Sequence, residues 1–327
     1  MRAFAQDTFG EPGSIRDVVV PVPGTGEVRV RVISASVNPV DWKTGLGYLK
    51  DWLEHKFPLI LGQDLSGVVD AVGPGVSDLM VGDEVFGGHG QPFMGRGTFA
   101  EYVIAAPRAL AAKPADISHG DASSIGLAGV TALMSVDALG EIGGQPIVIL
   151  GAAGGVGSYA VQIAKARGAN VIGIARASNH EYLRGLGANE VVDYTAENIG
   201  QAIRSTHMDG IAGAIHLAGE ADELGKVVSL VRDGGTIVTP AGAAPIEGGR
   251  IQWGMFGAEI TRERLTQLAE MVLKGELKVP PTRDFAFDDI SLAFHESAAG
   301  HVRGKLAIQV GAAEKSARAL EEPEAVS

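Results

Sequence analysis

The residues GAAGGVG at positions 151–157 stand between an unbroken apolar run, PIVIL, and the segment SYAVQIAKARGA. No other junction in the chain restricts the fold as strongly. Ile147, Val148, Ile149 and Leu150 are apolar and mostly β-branched, which predicts a strand buried on both faces of a parallel sheet. After Gly157, the residues Ala160, Val161, Ile163 and Ala164 share one side at helical spacing, Lys165 and Arg167 fall outside it, and Gly168 is placed to end the helix. A strand, a glycine turn and a helix in that order aim free backbone N–H groups and the positive end of the helix dipole at an anion. The spacing departs from the usual G-x-G-x-x-G, because Ala153 stands where a second glycine is common and Gly151, Gly154, Gly155 and Gly157 carry the pattern. In a chain with 46 glycines, a flexible surface loop is the competing reading. The phosphate reading makes Ala153, Gly154, Gly155, Val156 and Gly157 the cradle.

What surrounds the turn favours the cradle. Up to about residue 122 the chain reads as short strands separated by Gly and Pro. In EVRVRVIS, Val28, Val30 and Val32 alternate with Glu27, Arg29 and Arg31, the period of a half-exposed strand, and LSGVVDAVG, GDEVFGG and TFAEYVIAAP continue the style. From residue 123 strands alternate with helices: the glycine unit, NVIGIA, a helix around EYLRGLG, then EVVDY, AIHLAG and GTIVTPAG. This is the grammar of a doubly wound parallel sheet. The helical TRERLTQLAEMVLKG and the strand-like KLAIQV then return to the mixed style, so the second unit is inserted in the first. The end, from residue 313, is charged and small and is expected to be a poorly ordered tail.

At 327 residues there is apolar content for two cores. A net charge of -12 argues against a nucleic-acid partner. The first residues lack the layout of a secretory signal, and no stretch approaches the roughly 18 apolar residues needed to cross a bilayer. A cytoplasmic protein acting on a small molecule, away from membranes, is expected. With no cysteine, the chain has no disulfide, thiolate metal ligand or cysteine nucleophile.

In a nucleotide-binding sheet the end of the second strand meets the adenosine ribose, where an acidic residue binds the hydroxyls of NAD. Here that strand is NVIGIARAS, and the position offers Arg176, then Ser178 and Asn179. A guanidinium fork and a hydroxyl suit a 2′-phosphate. NADPH is therefore the expected cofactor, with a solvated loop arginine as the alternative.

Taken together, the β-rich half, the GAAGGVG half, the segments NPVDWKTGLG and LGQDLSGVV and the terminal RGKLAIQV resemble the medium-chain dehydrogenase/reductase superfamily, nearest its zinc-independent quinone oxidoreductase branch. The likeness runs from Met1 to about Val310. It implies an α/β fold in which a GroES-like β-barrel catalytic domain, residues 1–122 and 259–312, carries an inserted Rossmann domain, residues 123–258, with a doubly wound parallel sheet. Zinc-dependent members hold their catalytic metal with a cysteine three residues before an aspartate and the histidine of Gly-His-Glu. Those places hold Asn38, ahead of Asp41, and Gln63, neither of which is a good zinc ligand. The segment after Phe86 that would carry the structural zinc lobe has no cysteine, and His55, His89 and His216 read as structural residues. No metal is expected.

The resemblance places Asn38 and Asp41 beside the nicotinamide and Tyr48 near the substrate mouth. Asn38 would donate to a developing oxyanion and Tyr48 a hydrogen bond or proton, whereas Asp41 has a capping role and Tyr48 a loop-packing role as alternatives. It also implies Thr131 near the nicotinamide ribose, with a helix N-terminal threonine as the alternative. Tyr194 is implied beside the 2′-phosphate, Ala218, Gly219, Ala241 and Gly242 at strand ends around the cofactor, and Lys305 near it, unless Lys305 is a surface lysine. The implied activity is zinc-independent hydride transfer from NADPH to a quinone or an α,β-unsaturated carbonyl compound, in a homodimer. Two alternatives remain: an enoyl-thioester or enoyl-acid reductase tailoring a biosynthetic intermediate, and a non-catalytic NADPH-binding sensor or structural protein.

Overall fold

The computed structural model describes residues 1–196, 198–219, 221–240, 251–254 and 257–311. Ala241, Gly242 and the tail from 313 lie outside the described residues. The predicted strand around EVRVRVIS forms as Val28–Val37, and its valines at 28, 30 and 32 are buried. It runs beyond the alternating stretch because Ser34, Ala35, Ser36 and Val37 are also buried, beneath a helix, His119–Asp137. Among the described residues this strand is central to a seven-stranded sheet ordered Thr282–Ala286, Lys305–Gln309, Val28–Val37, Asp64–Val72, Glu84–Gly88 and Leu110–Ala112, with Tyr102–Ala105 also paired to Val28–Val37. A four-stranded sheet, Ser14–Asp17, Arg2–Gln6, His55–Ile60 and Met94–Arg96, closes over the same core. Phe4, Leu59, Leu61, Leu65, Val103 and Phe99 fill the space between. Each such side chain removed from water contributes about 1.5–3 kcal/mol.

A short helix, Pro39–Gly45, interrupts this β-rich half. Asn38 precedes it, Pro39 takes the first helical position, and Asp41 sits at the third, a combination that starts helices. The helix hangs directly from the end of Val28–Val37.

The passage to the second half is a helix and not a linker. His119–Asp137 begins on a cap in which the Asp121 N–H donates to Ser118 Oγ, so the boundary drawn at residue 122 falls inside it. It packs on strands Val28–Val37, Asp64–Val72 and Glu84–Gly88 on one side and on helix Gly155–Ala166 on the other. Thirteen of its nineteen residues are buried, and both halves pack on it.

Among the described residues the second half is a six-stranded sheet, parallel throughout, ordered Glu190–Val192, Asn170–Ile174, Pro146–Leu150, Ile211–His216, Val231–Val238 and Gln252–Gly254. Five of these strands fall on the predicted runs and Gln252–Gly254 does not; the chain reverses direction of winding between Pro146–Leu150 and Ile211–His216. Ligands of such sheets bind at the carboxyl ends of the strands beside that reversal, which is where the glycine turn lies. The return strand Lys305–Gln309 then pairs antiparallel with Val28–Val37, setting Leu306 opposite Val37. Lys305 thereby arrives beside Asn38.

Candidate active site

The glycine turn is built by close approaches. Gly151 has φ +77°, and a Cβ there would come within 2.9 Å of Ala218 Cβ. A Cβ at Gly157 would collide with the carbonyl oxygens of Gly151 and Ala152, so the helix can pack on its strand only with glycine. Gly154 is the N-cap of helix Gly155–Ala166, and no side chain caps it. The first N–H groups of the helix therefore lack an internal partner and face outward. Beside Gly154 a Cβ would meet only the Gly151 oxygen at 3.5 Å. An uncapped helix start under open space fits a pyrophosphate, and Ala153 to Gly157 would hold it. Ala218 and Gly219 lie against the turn at the end of the neighbouring strand.

On the ribose side, Arg176 is exposed at the end of Asn170–Ile174. Its Nε donates to Tyr194 Oη at 2.9 Å, and its Nη2 lies 3.1 Å from His301 Nε2. The arginine and tyrosine expected to flank a 2′-phosphate are thus in contact, with His301 as a third member that the sequence did not announce. Ser178 and Asn179 follow in a single 3₁₀ turn, Ala177–Asn179. The carboxylate beside this loop, Asp193, accepts from Ala177 N, Thr195 N and Thr195 Oγ1. Those bonds, the Thr195 hydroxyl first, hold it below the usual carboxylate range. They also commit it to its own loop.

Thr131 is buried in mid-helix, where its Oγ1 donates to Leu127 O at 2.6 Å. The helix N-terminal alternative for this threonine does not hold.

Between the two halves lies a buried polar network. Lys305, 4 % exposed, lays its stem across the turn so that a Cβ at Gly155 would meet its Cδ at 2.6 Å. Its Nζ donates to Asn38 Oδ1 at 2.6 Å and to Val37 O at 2.8 Å. It is not a surface lysine. Asn38 Nδ2 donates to Asp64 Oδ2 at 2.8 Å and, at 3.4 Å, to Ser36 O. Asp64, fully buried, also accepts from Ser36 Oγ at 2.8 Å and from the Leu127 N–H at 2.6 Å. That last bond needs Gly126, where a Cβ would collide with the carboxylate. Burial drives the Lys305 pKa down and the Asp64 pKa up, each opposed by the other's charge, 3.9 Å away. The amide of Asn38 is thus engaged at both ends, which leaves no donor for an oxyanion in this arrangement and makes the side chain a brace between the two charges.

Asp41 caps its helix: its Oδ2 accepts from the Asn38 N–H at 2.7 Å. Tyr48, 65 % exposed, follows the helix on a turn closed by its N–H to Lys43 O. It is available to a ligand and is not packed into its domain. Gln63, at the other zinc-ligand position, donates through Nε2 to Met94 Sδ at 3.1 Å. Among the described residues no group of three His, Cys, Asp or Glu side chains is gathered for a metal, and no helix is long and apolar enough to cross a membrane. Asp64, like His301, was a member of the site that sequence reasoning missed; its signal was a carboxylate heading an apolar strand.

Residues 24–115 match the family model described as alcohol dehydrogenase GroES-like domain, and residues 186–308 the one described as zinc-binding dehydrogenase. The chain is 31 % identical to an NADPH-dependent alkenal/one oxidoreductase, chloroplastic, of Arabidopsis thaliana, over 94 % of this chain and 79 % of that protein. It is 29 % identical to the quinone-oxidoreductase QR1, chloroplastic, of Triphysaria versicolor, over 94 % and 98 %. A quinone oxidoreductase structure from Coxiella burnetii superposes with a TM-score of 0.84 at 30 % identity, covering 95 % of this chain and 99 % of that one. The fold and these relatives place the chain among oxidoreductases of a family that binds a nicotinamide cofactor. The chain belongs to the medium-chain dehydrogenase/reductase superfamily, in its quinone oxidoreductase branch.

Proposed function

We propose that the protein reduces a quinone or an α,β-unsaturated carbonyl compound with NADPH and without a metal. The observation that carries this reading is the Lys305–Asn38–Asp64 network: the place of a zinc-binding side chain is taken by an amide fixed between a buried lysine and a buried aspartate, next to a nucleotide cradle. In the zinc-dependent members a Lewis acid polarises the alcohol oxygen, and neither Asn38 nor Gln63 would hold one. A conjugated acceptor needs less help, because its π-system carries the incoming charge to a distant oxygen. NADPH, when bound, supplies the hydride, and the chain's residues position it and the acceptor. Lys305 braces the catalytic segment against the glycine turn, Asn38 holds the helix start in place, and the exposed Tyr48 lines the acceptor's entrance. Arg176 with Tyr194 favours a 2′-phosphate. The printed names of the Arabidopsis and Triphysaria relatives are of this chemistry. Among the described residues the sheet ends at Gln252–Gly254 and at Glu190–Val192, and a homodimer would continue it through one of these edges.

NADPH consumption with a benzoquinone, a linear enone, a crotonyl thioester and a saturated aldehyde, each with and without chelator, tests the reading. Turnover of quinone or enone that ignores the chelator is expected. Turnover confined to the aldehyde, or abolished by chelator, contradicts it; a preference for the thioester moves the assignment to an enoyl-thioester reductase.

A further inference from the structure

Asp41 carries an oxygen that the protein does not use. While Oδ2 accepts the Asn38 N–H, Oδ1 is buried with no hydrogen-bond partner, and so is the Oγ1 of Thr44, three residues along the same helix. Both residues line a cavity of about 10 Å³ whose other walls include Gly62, Gln63, His89 and Met94. One water needs about 10–15 Å³ and two to four polar partners, so the space and its walls match one molecule. His89 on the far wall accepts the Gln91 N–H at Nδ1, and burial pushes its pKa down to about 4. It is therefore neutral at pH 7, with its hydrogen on Nε2.

The carboxyl faces charges from two further elements. Burial, with Asp64 from its strand, pushes Asp41 up to about 8, against the opposing pull of the Asn38 N–H and of Lys305 from the return strand. At neutral pH Asp41 is a carboxylic acid. Since Oδ2 is accepting a hydrogen bond, the proton sits on Oδ1, on the cavity side. An acceptor oxygen beside Gln63, the position that the resemblance gives to a zinc ligand, would lie across this cavity from Asp41.

We infer that Asp41 Oδ1 and Thr44 Oγ1 hold one water in this cavity, and that Asp41 passes its proton through that water to the acceptor oxygen. This rests on the reading above. With a quinone, hydride addition carries two electrons and one hydrogen to the acceptor and leaves a hydroquinone monoanion. The water gives that oxygen a proton and takes the one on Asp41 Oδ1; the Asp41 carboxylate regains a proton from solvent before the next turnover. The transfer runs downhill, since an ordinary phenol titrates at about 10. An ordinary carboxyl, at about 3.9, would hold no proton to give at pH 7.

Asp41→Asn keeps an oxygen for the Asn38 N–H but has no proton to lose, and Thr44→Val removes only the water's second partner. In wild type, kcat falls above about pH 8; in Asp41→Asn that limb is gone and kcat at pH 7 drops about 100-fold, the size of a general-acid contribution. Thr44→Val lowers kcat with KM unchanged. An Asp41→Asn enzyme that keeps full kcat, or keeps the descending limb, overturns the inference. A second readout needs no substrate. The folded pKa lies above the unfolded value, so this group makes wild-type stability fall as pH rises from about 4 to about 8. The thermal midpoint of Asp41→Asn falls less over that range if Asp41 is held as the acid. Parallel midpoints for the two proteins overturn the inference even if no acceptor is found. A crystal structure with no water within hydrogen-bond distance of both oxygens does so too.

Discussion

Lys305→Met will destabilise the protein by about 3–5 kcal/mol at neutral pH, the cost of leaving one member of a buried ion pair without its partner. The estimate follows from where Asp64 lies. Its carboxylate is fully buried, and apart from Lys305 it has only neutral donors: Ser36 Oγ, Asn38 Nδ2 and the Leu127 N–H. Burial already raises its pKa against the pull of the lysine, so loss of the ammonium raises it further. An aspartate whose folded pKa exceeds its unfolded value stabilises least when it must be ionised. The deficit of Lys305→Met is therefore small near pH 4 and grows as pH rises, which urea denaturation at pH 5 and pH 8 measures. The double variant Asp64→Asn/Lys305→Met removes both charges and should recover most of the loss, as replacing a buried pair by neutral groups generally does. Its activity stays low, because Asn38 no longer has the ammonium that fixes its Oδ1. A misplacement of about 1 Å near the chemistry costs roughly 100-fold. A double variant no more stable than the single one would mean that the lysine acts through its stem on Gly155 and not through its charge.

Arg176→Ala will weaken NADPH binding by about 1.5–3 kcal/mol, the value of a hydrogen bond to a charged group, or about tenfold to 150-fold, with NADH nearly unchanged. The guanidinium is already oriented by its bond to Tyr194 Oη and by contact with His301. Little entropy is then lost when a phosphate arrives, which puts the expected effect towards the upper end. Asp193 already accepts from Ala177 and Thr195 of its own loop, which makes it a poorer ribose-hydroxyl partner than a carboxylate with its lone pairs open. The ratio of NADPH to NADH dissociation constants, measured by fluorescence titration, is the readout. Equal losses for both cofactors would remove Arg176 from the phosphate site.

Which parts of this were legible in sequence follows from how far apart the interacting residues lie. The strand, turn and helix around GAAGGVG are a local event, fixed by β-branched residues, glycines and a helical period within about twenty residues. Arg176 was readable because its place after the second strand is set by the same unit. The partners of Asn38 were not. Asp64 is 26 residues away and Lys305 is 267 away, and only the antiparallel pairing of Val28–Val37 with Lys305–Gln309 brings the lysine in. A sequence shows Asn38 as a polar side chain with free donors; the fold spends those donors internally. His301, 125 residues from Arg176, carried no signal for the same reason. Asp41 was readable as a helix cap but not as an acid, because its burial and the cavity beside it come from chain segments around residues 62, 89 and 94. The helix His119–Asp137 escaped a boundary drawn at a change of pattern because it packs against the strands of one half and a helix of the other.

Direct hydride delivery to a conjugated acceptor is the central claim, and isotopic transfer tests it most simply. With NADPH deuterated at the transferring position of C4, the reduced enone is isolated and its deuterium located by mass spectrometry and NMR. One deuterium on the β-carbon, retained in the presence of chelator, is the predicted result. Deuterium at the carbonyl carbon, or none in the product, would contradict it.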